Sequence, residues 1–254
     1  VALRLPIRVT GARGPARMTV AEHLAELRRR LLISIAGVSI GAVVVFVLFD
    51  RVLALLVHPY CAAVGPGRAC TLYVTGPLDG LSIRVEVAAY GGAVLASPLL
   101  LFQFWRFVAP GLRARERRLT LTFVGASLVL FIGGGAVAYT IFPHAMAWLD
   151  HIGGPSLRQI YSPSSYIGLL LLMMAAFGLT FELPVVLVSL QAAGVLTPRR
   201  LASWRRYAIV ALVALAAVVT PSSDPLSMVA LAVPLVIFYE GSILIGRLLV
   251  RRRA

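Results

Sequence analysis

Apolar positions fill long stretches of this chain, and polar ones collect in short clusters between them. Residues 31–49 hold no charge, nor do 87–105, 119–149, 159–181, 207–223 and 225–239. A helix needs about 20 apolar residues to cross a hydrocarbon layer roughly 30 Å thick. The pattern therefore predicts spans at about 31–50, 78–107, 119–142, 164–190, 206–220 and 226–246. The expected fold is an all-α polytopic membrane protein of six transmembrane helices. The last two spans are short, since residues 207–220 give only about 21 Å of helix. Pro221 and Pro225 bracket the turn between them. Such a pair thins the bilayer locally or packs behind other helices.

A different pattern precedes the first span. In "MTVAEHLAELRRRLL", Thr19 and Glu22 make a capping box that starts a helix at about Val20. Leu24, Leu27 and Leu31 fall on one stripe, while Glu22 and Glu26 share a face. This surface helix runs into span one. Gly37 with Gly41, and Gly133 with Gly135, suit close helix packing. Residues 1–18 read as a disordered basic tail, 19–246 as a single membrane domain and 247–254 as a basic C-terminal tail. The N-terminal stretch has no apolar core of its own, so no cleaved signal peptide is expected.

Charge fixes the expected orientation. All 24 basic residues are arginine. Twenty of them lie in the N-terminal segment, the 106–118 turn, the 191–206 turn and the C-terminus, against four in the other connections. The positive-inside rule then puts both termini in the cytoplasm. The basic face suits anionic lipid headgroups. No basic and aromatic interleaving marks a soluble face, so nucleic acid is not an expected partner.

The chemistry of an enzyme is hard to assemble here. Without lysine there is no P-loop lysine, Schiff base or Ser–Lys dyad. The four histidines fall in different segments, and no nucleophile, acid pair or metal-ligand set stands at one depth. Neither a catalytic residue, a metal nor a cofactor is expected. Cys61 and Cys70, nine apart across a Gly-Pro-Gly turn on the outer side, read as a disulfide. The alternative is two unpaired buried thiols.

Three carboxylates draw attention instead. Glu182 sits near the middle of the fourth span, where a charge costs about 2.5–3.5 kcal/mol on insertion scales. It marks either a polar cavity or partner contact, or else a protonated carboxyl hydrogen-bonded to a neighbouring helix. Pro184 frees a backbone carbonyl near Leu179 or Thr180, so this depth is polar in any case. Glu26 and Glu116 are each set among arginines on the cytoplasmic side. Local pairing, Glu26 with Arg29 or Arg30 and Glu116 with Arg113, is the plainer account. Exposed pairs are too weak to prevent exchange for a better-placed guanidinium.

Four stretches in order, "HLAELRRRLL", "SPLLLFQFWRFVAPGLRARERR", "FGLTFELPVVLV" and "TPSSDPLSM", resemble the TatC family, the multispanning receptors of the twin-arginine protein translocase. The resemblance spans roughly residues 19–250 and implies a glove-shaped bundle in the bacterial inner membrane, with both termini cytoplasmic. It implies binding of signal peptides that carry consecutive arginines on folded cargo. It also implies recruitment of TatA- and TatB-like single-span subunits into an oligomeric complex. The family's signal-binding glutamates map onto Glu26 and Glu116, its intramembrane glutamate onto Glu182, and partner contacts onto Thr220 and Met228. This chain has Arg113 where most relatives carry an aromatic, and Met228 where some carry glutamine. The cysteine pair resembles actinobacterial members. Without the resemblance, the residues read as a secondary transporter or channel with Glu182 as its proton or cation site. That reading predicts an inverted repeat, and the sequence shows no clear one.

Overall fold

The computed structural model describes residues 20–64, 74, 76–108, 120–152, 162–221 and 224–251. Every regular element among them is a helix: α1 (Val20–Val47), α2 (Phe49–Val64), α3 (Asp79–Val108), α4 (Thr120–Ile152), α5 (Pro163–Thr180), α6 (Leu183–Ala192), α7 (Pro198–Ser203), α8 (Arg205–Val219) and α9 (Pro225–Arg251). Among the described residues, five stretches are long and apolar enough to cross a membrane: His23–Val47, Asp79–Phe107, Leu121–Ile152, Pro163–Ala192 and Pro225–Leu248. The predicted fifth span is α8, whose 15 residues reach only about 22 Å.

Several boundaries differ from the apolar pattern. The first does not, since the helix before span one runs on into it as expected, in the single rod α1. The third span continues through Pro143 to Ile152, ten residues past its predicted end. Proline is tolerated there because neighbouring groups take up the freed backbone in a membrane helix. The sequence reading also missed α2, in what it took as an outer loop. Its Pro59 cannot donate to the Leu55 carbonyl, and the Tyr139 hydroxyl of α4 donates to that carbonyl at 2.8 Å. Tyr166 of α5 donates to the adjacent Leu56 carbonyl at 3.1 Å. Two tyrosines thus clamp α2 across the ends of α4 and α5.

The helices cross where side chains vanish. At the α1–α3 crossing Gly41 meets Gly92, and a Cβ on Gly41 would lie 2.7 Å from the Gly92 carbonyl oxygen. A Cβ on Gly134 would stand 2.6 Å from the Phe177 carbonyl oxygen, so Gly134 rather than its two neighbours makes the α4–α5 approach. Such contacts let van der Waals packing replace the hydrophobic drive that lipid removes. The core holds Trp105, Phe142, Tyr166, Phe177 and Leu235, all essentially buried. Ile40, Val129, Val210 and Val218 lie largely exposed on the outside of the bundle. That surface suits a hydrocarbon solvent.

Candidate functional site

The N-terminal end of α1 lies against the C-terminal end of α3. The two rods run antiparallel from the glycine crossing, so residues 23–34 reach residues 100–107. His23 stacks on Phe107 with ring centroids 4.6 Å apart. Arg30 reaches across, its Nη1 donating to the Gln103 carbonyl at 3.2 Å. Between the rods runs a groove of about 160 Å³, lined on one wall by Leu27, Arg30 and Leu31 and on the other by Leu100, Gln103 and Phe104.

Glu26 stands at this end of the helix pair. Its helical spacing puts it one turn before Arg30, and the two form an ion pair. Arg30 Nε donates to Glu26 Oε1 at 3.2 Å, and Nη2 donates to the same oxygen. Arg106 of α3 adds positive potential around the carboxylate. Of the two local partners expected for Glu26, Arg30 is therefore the one the helix supplies. Glu116 lies outside the described residues, as does Thr19 of the expected capping box.

Glu182 occupies a break in the fourth span. It sits between α5 and α6 as the residue that starts α6, with Pro184 in that helix's first turn. The Glu182 amide donates to the Leu179 carbonyl at 3.2 Å, taking one of the two carbonyls expected to be freed. Ser127 of α4 hydrogen-bonds the Glu182 side chain. The Trp105 indole donates to Ser127 Oγ at 2.7 Å, so α3, α4 and the α5–α6 break share one buried polar chain. Glu182 Oε1 is enclosed and accepts from no described residue. The serine and tryptophan were not visible as partners in the sequence, because all three residues come from different spans.

Thr220 and Met228 flank the turn between α8 and α9. The Thr220 side chain is buried and donates to the Ala216 carbonyl at 2.9 Å, while Met228 is half-buried against the core. An apolar stripe on α9, Leu226, Val229, Val233 and Ile237, remains exposed beside them. Cys61, in the last turns of α2, is engaged in a disulfide, and Cys70 lies outside the described residues.

The tightest interhelical ion pair among the described residues escaped the sequence reading altogether. Arg205 at the start of α8 grips Glu240 of α9, Nε to Oε1 at 2.5 Å and Nη2 to Oε2 at 2.8 Å. The Tyr239 hydroxyl donates to the Leu201 carbonyl at 2.8 Å, and Gln191 Nε2 donates to the Ser242 carbonyl at 3.0 Å. Together they tie α9 to α6, α7 and α8.

These features define a multi-pass α-helical membrane protein with a basic, groove-bearing helix end and a separate polar chain at membrane depth. The family model described as "Sec-independent protein translocase protein (TatC)" matches residues 22–234. A relative of that name from Frankia casuarinae is 40% identical over 248 residues, covering 94% of this chain and 68% of the relative. One from Aquifex aeolicus is 38% identical over 239 residues, covering 93% and 98%. A crystal structure described as the twin arginine translocase receptor TatC superposes with a TM-score of 0.74 at 36% identity, covering 89% of this chain and 99% of that one. The chain belongs to the TatC family of protein translocase components. These likenesses give the transporter reading of Glu182 no support.

Proposed function

We propose that this protein is a signal-peptide receptor and core subunit of a twin-arginine translocase. It binds consecutive-arginine signal peptides at the cytoplasmic face, with Glu26 and Glu116 as acceptors for guest guanidinium groups. The observation that carries the reading is Glu26, a carboxylate with one oxygen that no described residue bonds, beside a groove between two helix ends. Arginine suits such a seat because its planar fork binds carboxylate through two parallel bonds and keeps its proton. The chain acts as six spans in the bacterial inner membrane, with α8 as the short fifth. Both termini are cytoplasmic, as the arginine distribution favours. TatA- and TatB-like single-span subunits meet the α8–α9 pair, where Thr220 and Met228 flank the turn. Glu182 serves transport or partner assembly rather than peptide docking.

One titration of a labelled Arg-Arg signal peptide against the purified protein tests the docking roles. Glu116→Gln should weaken binding by about 10–150-fold, the worth of a charged hydrogen bond. Glu26→Gln should weaken it by less, and Glu182→Ala should bind as wild type. Equal affinities for wild type and both docking variants would end the receptor assignment, and loss of binding in a folded Glu182→Ala would reverse the division of roles. Orientation is tested by single-cysteine labelling, and reaction from outside the cell at position 115 or 200 would sink it.

A further inference from the structure

We propose that Arg30 is a resident competitor for Glu26, so that a guest guanidinium takes a two-pronged seat on this carboxylate only by displacing it. The inference rests on the receptor reading above and concerns how that same site sets its preference. It starts from which oxygen is used. Both Arg30 donors converge on Glu26 Oε1, and Oε2 accepts no hydrogen bond from any described residue. A fork needs two oxygens side by side. A guest ammonium can satisfy itself on Oε2, whereas a guest guanidinium finds half its seat taken.

The second observation is where Arg30 is held. Its side chain is only 12% exposed, against 26% for Glu26, and it forms part of the groove wall. Its Nη1 is anchored on the Gln103 carbonyl of α3. That anchor is independent of Glu26. Arg30 can therefore release Oε1 and turn aside while still bonded to α3, so the contact between the rods survives the exchange. Binding at Glu26 then swaps one guanidinium contact for another. The carboxylate's net contribution to affinity is smaller than a fresh pair would give, and removing the resident restores the difference.

The experiment uses the full-length protein in detergent and two labelled signal peptides, identical except for Arg-Arg or Lys-Lys. Wild type, Arg30→Gln, Arg30→Lys and the double variant Arg30→Gln/Glu26→Gln are titrated with each. Arg30→Gln should tighten the Arg-Arg peptide by about two- to fivefold, the fold-change that a local i, i+4 ion pair at the surface end of a helix is worth. The Lys-Lys peptide should gain less, so the ratio between them widens. Arg30→Lys, which keeps charge and reach but has one prong, should fall between wild type and Arg30→Gln. In the double variant the gain should vanish.

The peptides carry equal charge, so an equal gain for both would be bare electrostatics and would overturn the proposal. Unchanged or weakened Arg-Arg binding in Arg30→Lys would overturn it as well, because that variant preserves the charge. Should Glu26→Gln leave wild-type binding untouched, the docking role of Glu26 falls, and this inference with it. Should Glu26 matter while both Arg30 variants bring no gain, only the competitor is lost.

Discussion

Glu240 and Glu26 each meet an arginine, and they meet it differently. Glu240 takes Arg205 on both oxygens, across 35 residues of sequence and between two helices. Glu26 takes Arg30 on one oxygen, a single turn away in its own helix. The first contact is saturated. It is one of three polar ties that hold α9 to α6, α7 and α8, together with those of Tyr239 and Gln191. The second leaves acceptor capacity beside a groove. A charge pair that engages both carboxylate oxygens between elements fixes the fold, whereas one that engages a single oxygen within an element leaves room for a guest.

Removing the carboxylate of the saturated pair should have the largest effect on stability. Glu240→Ala leaves the Arg205 guanidinium without its acceptor at the flank of a membrane bundle. The expected loss is about 1–2 kcal/mol, reduced from the value for an enclosed charged hydrogen bond because both partners are part-exposed. Thermal unfolding in one detergent measures it, and the Arg-Arg peptide should bind as before. Glu26→Ala should do the reverse, with an unmoved thermal midpoint and weakened peptide binding. If Glu240→Ala keeps the fold and loses the peptide, the contrast between clasp and site is wrong.

The contrast was only half legible in the sequence. Glu26 could be placed, since helical spacing alone puts it one turn from Arg30 and on the face of Glu22. That a helix precedes span one and runs into it followed from local chemistry in the same way. Charge-free runs located the long spans because bilayer thickness acts on every residue of a run at once. The Arg205–Glu240 fork was invisible, because it depends on how far α9 slides past α8. Periodicity within one helix carries no information about that offset. For the same reason Gly41 was seen as small but its partner Gly92 was not, and Ser127 was not connected to Glu182. The α2 helix was missed because its segment falls between two charge-free runs and reads as a loop, while what holds it, the Tyr139 hydroxyl on the Leu55 carbonyl, comes from a distant helix. The predicted third span likewise ended at 142, where α4 continues through Pro143 to Ile152.

The smallest expected effect is the most exacting for the comparison, because it makes the same chemical change at both pairs. Replacing arginine by lysine keeps the charge and removes the planar fork. At Arg205 the fork is in use on both oxygens, so a lysine there can hold only one of them. Arg205→Lys should lower stability by about 0.5–1 kcal/mol, the upper part of the range for part-exposed pairs. At Arg30 two donors share a single oxygen of Glu26, so one ammonium donor can still hold that oxygen, though more weakly. The contact to Gln103 is a single donor as well. Arg30→Lys should therefore leave the thermal midpoint where it was, and its consequence should show in peptide affinity instead. Paired unfolding curves for the two variants in the same detergent read out the difference directly. Equal losses of stability would mean that Arg30 is a clasp like Arg205, with no capacity set aside for a guest. A loss at Arg205 alone, with tighter Arg-Arg binding at Arg30→Lys, would separate the two kinds of pair by one substitution.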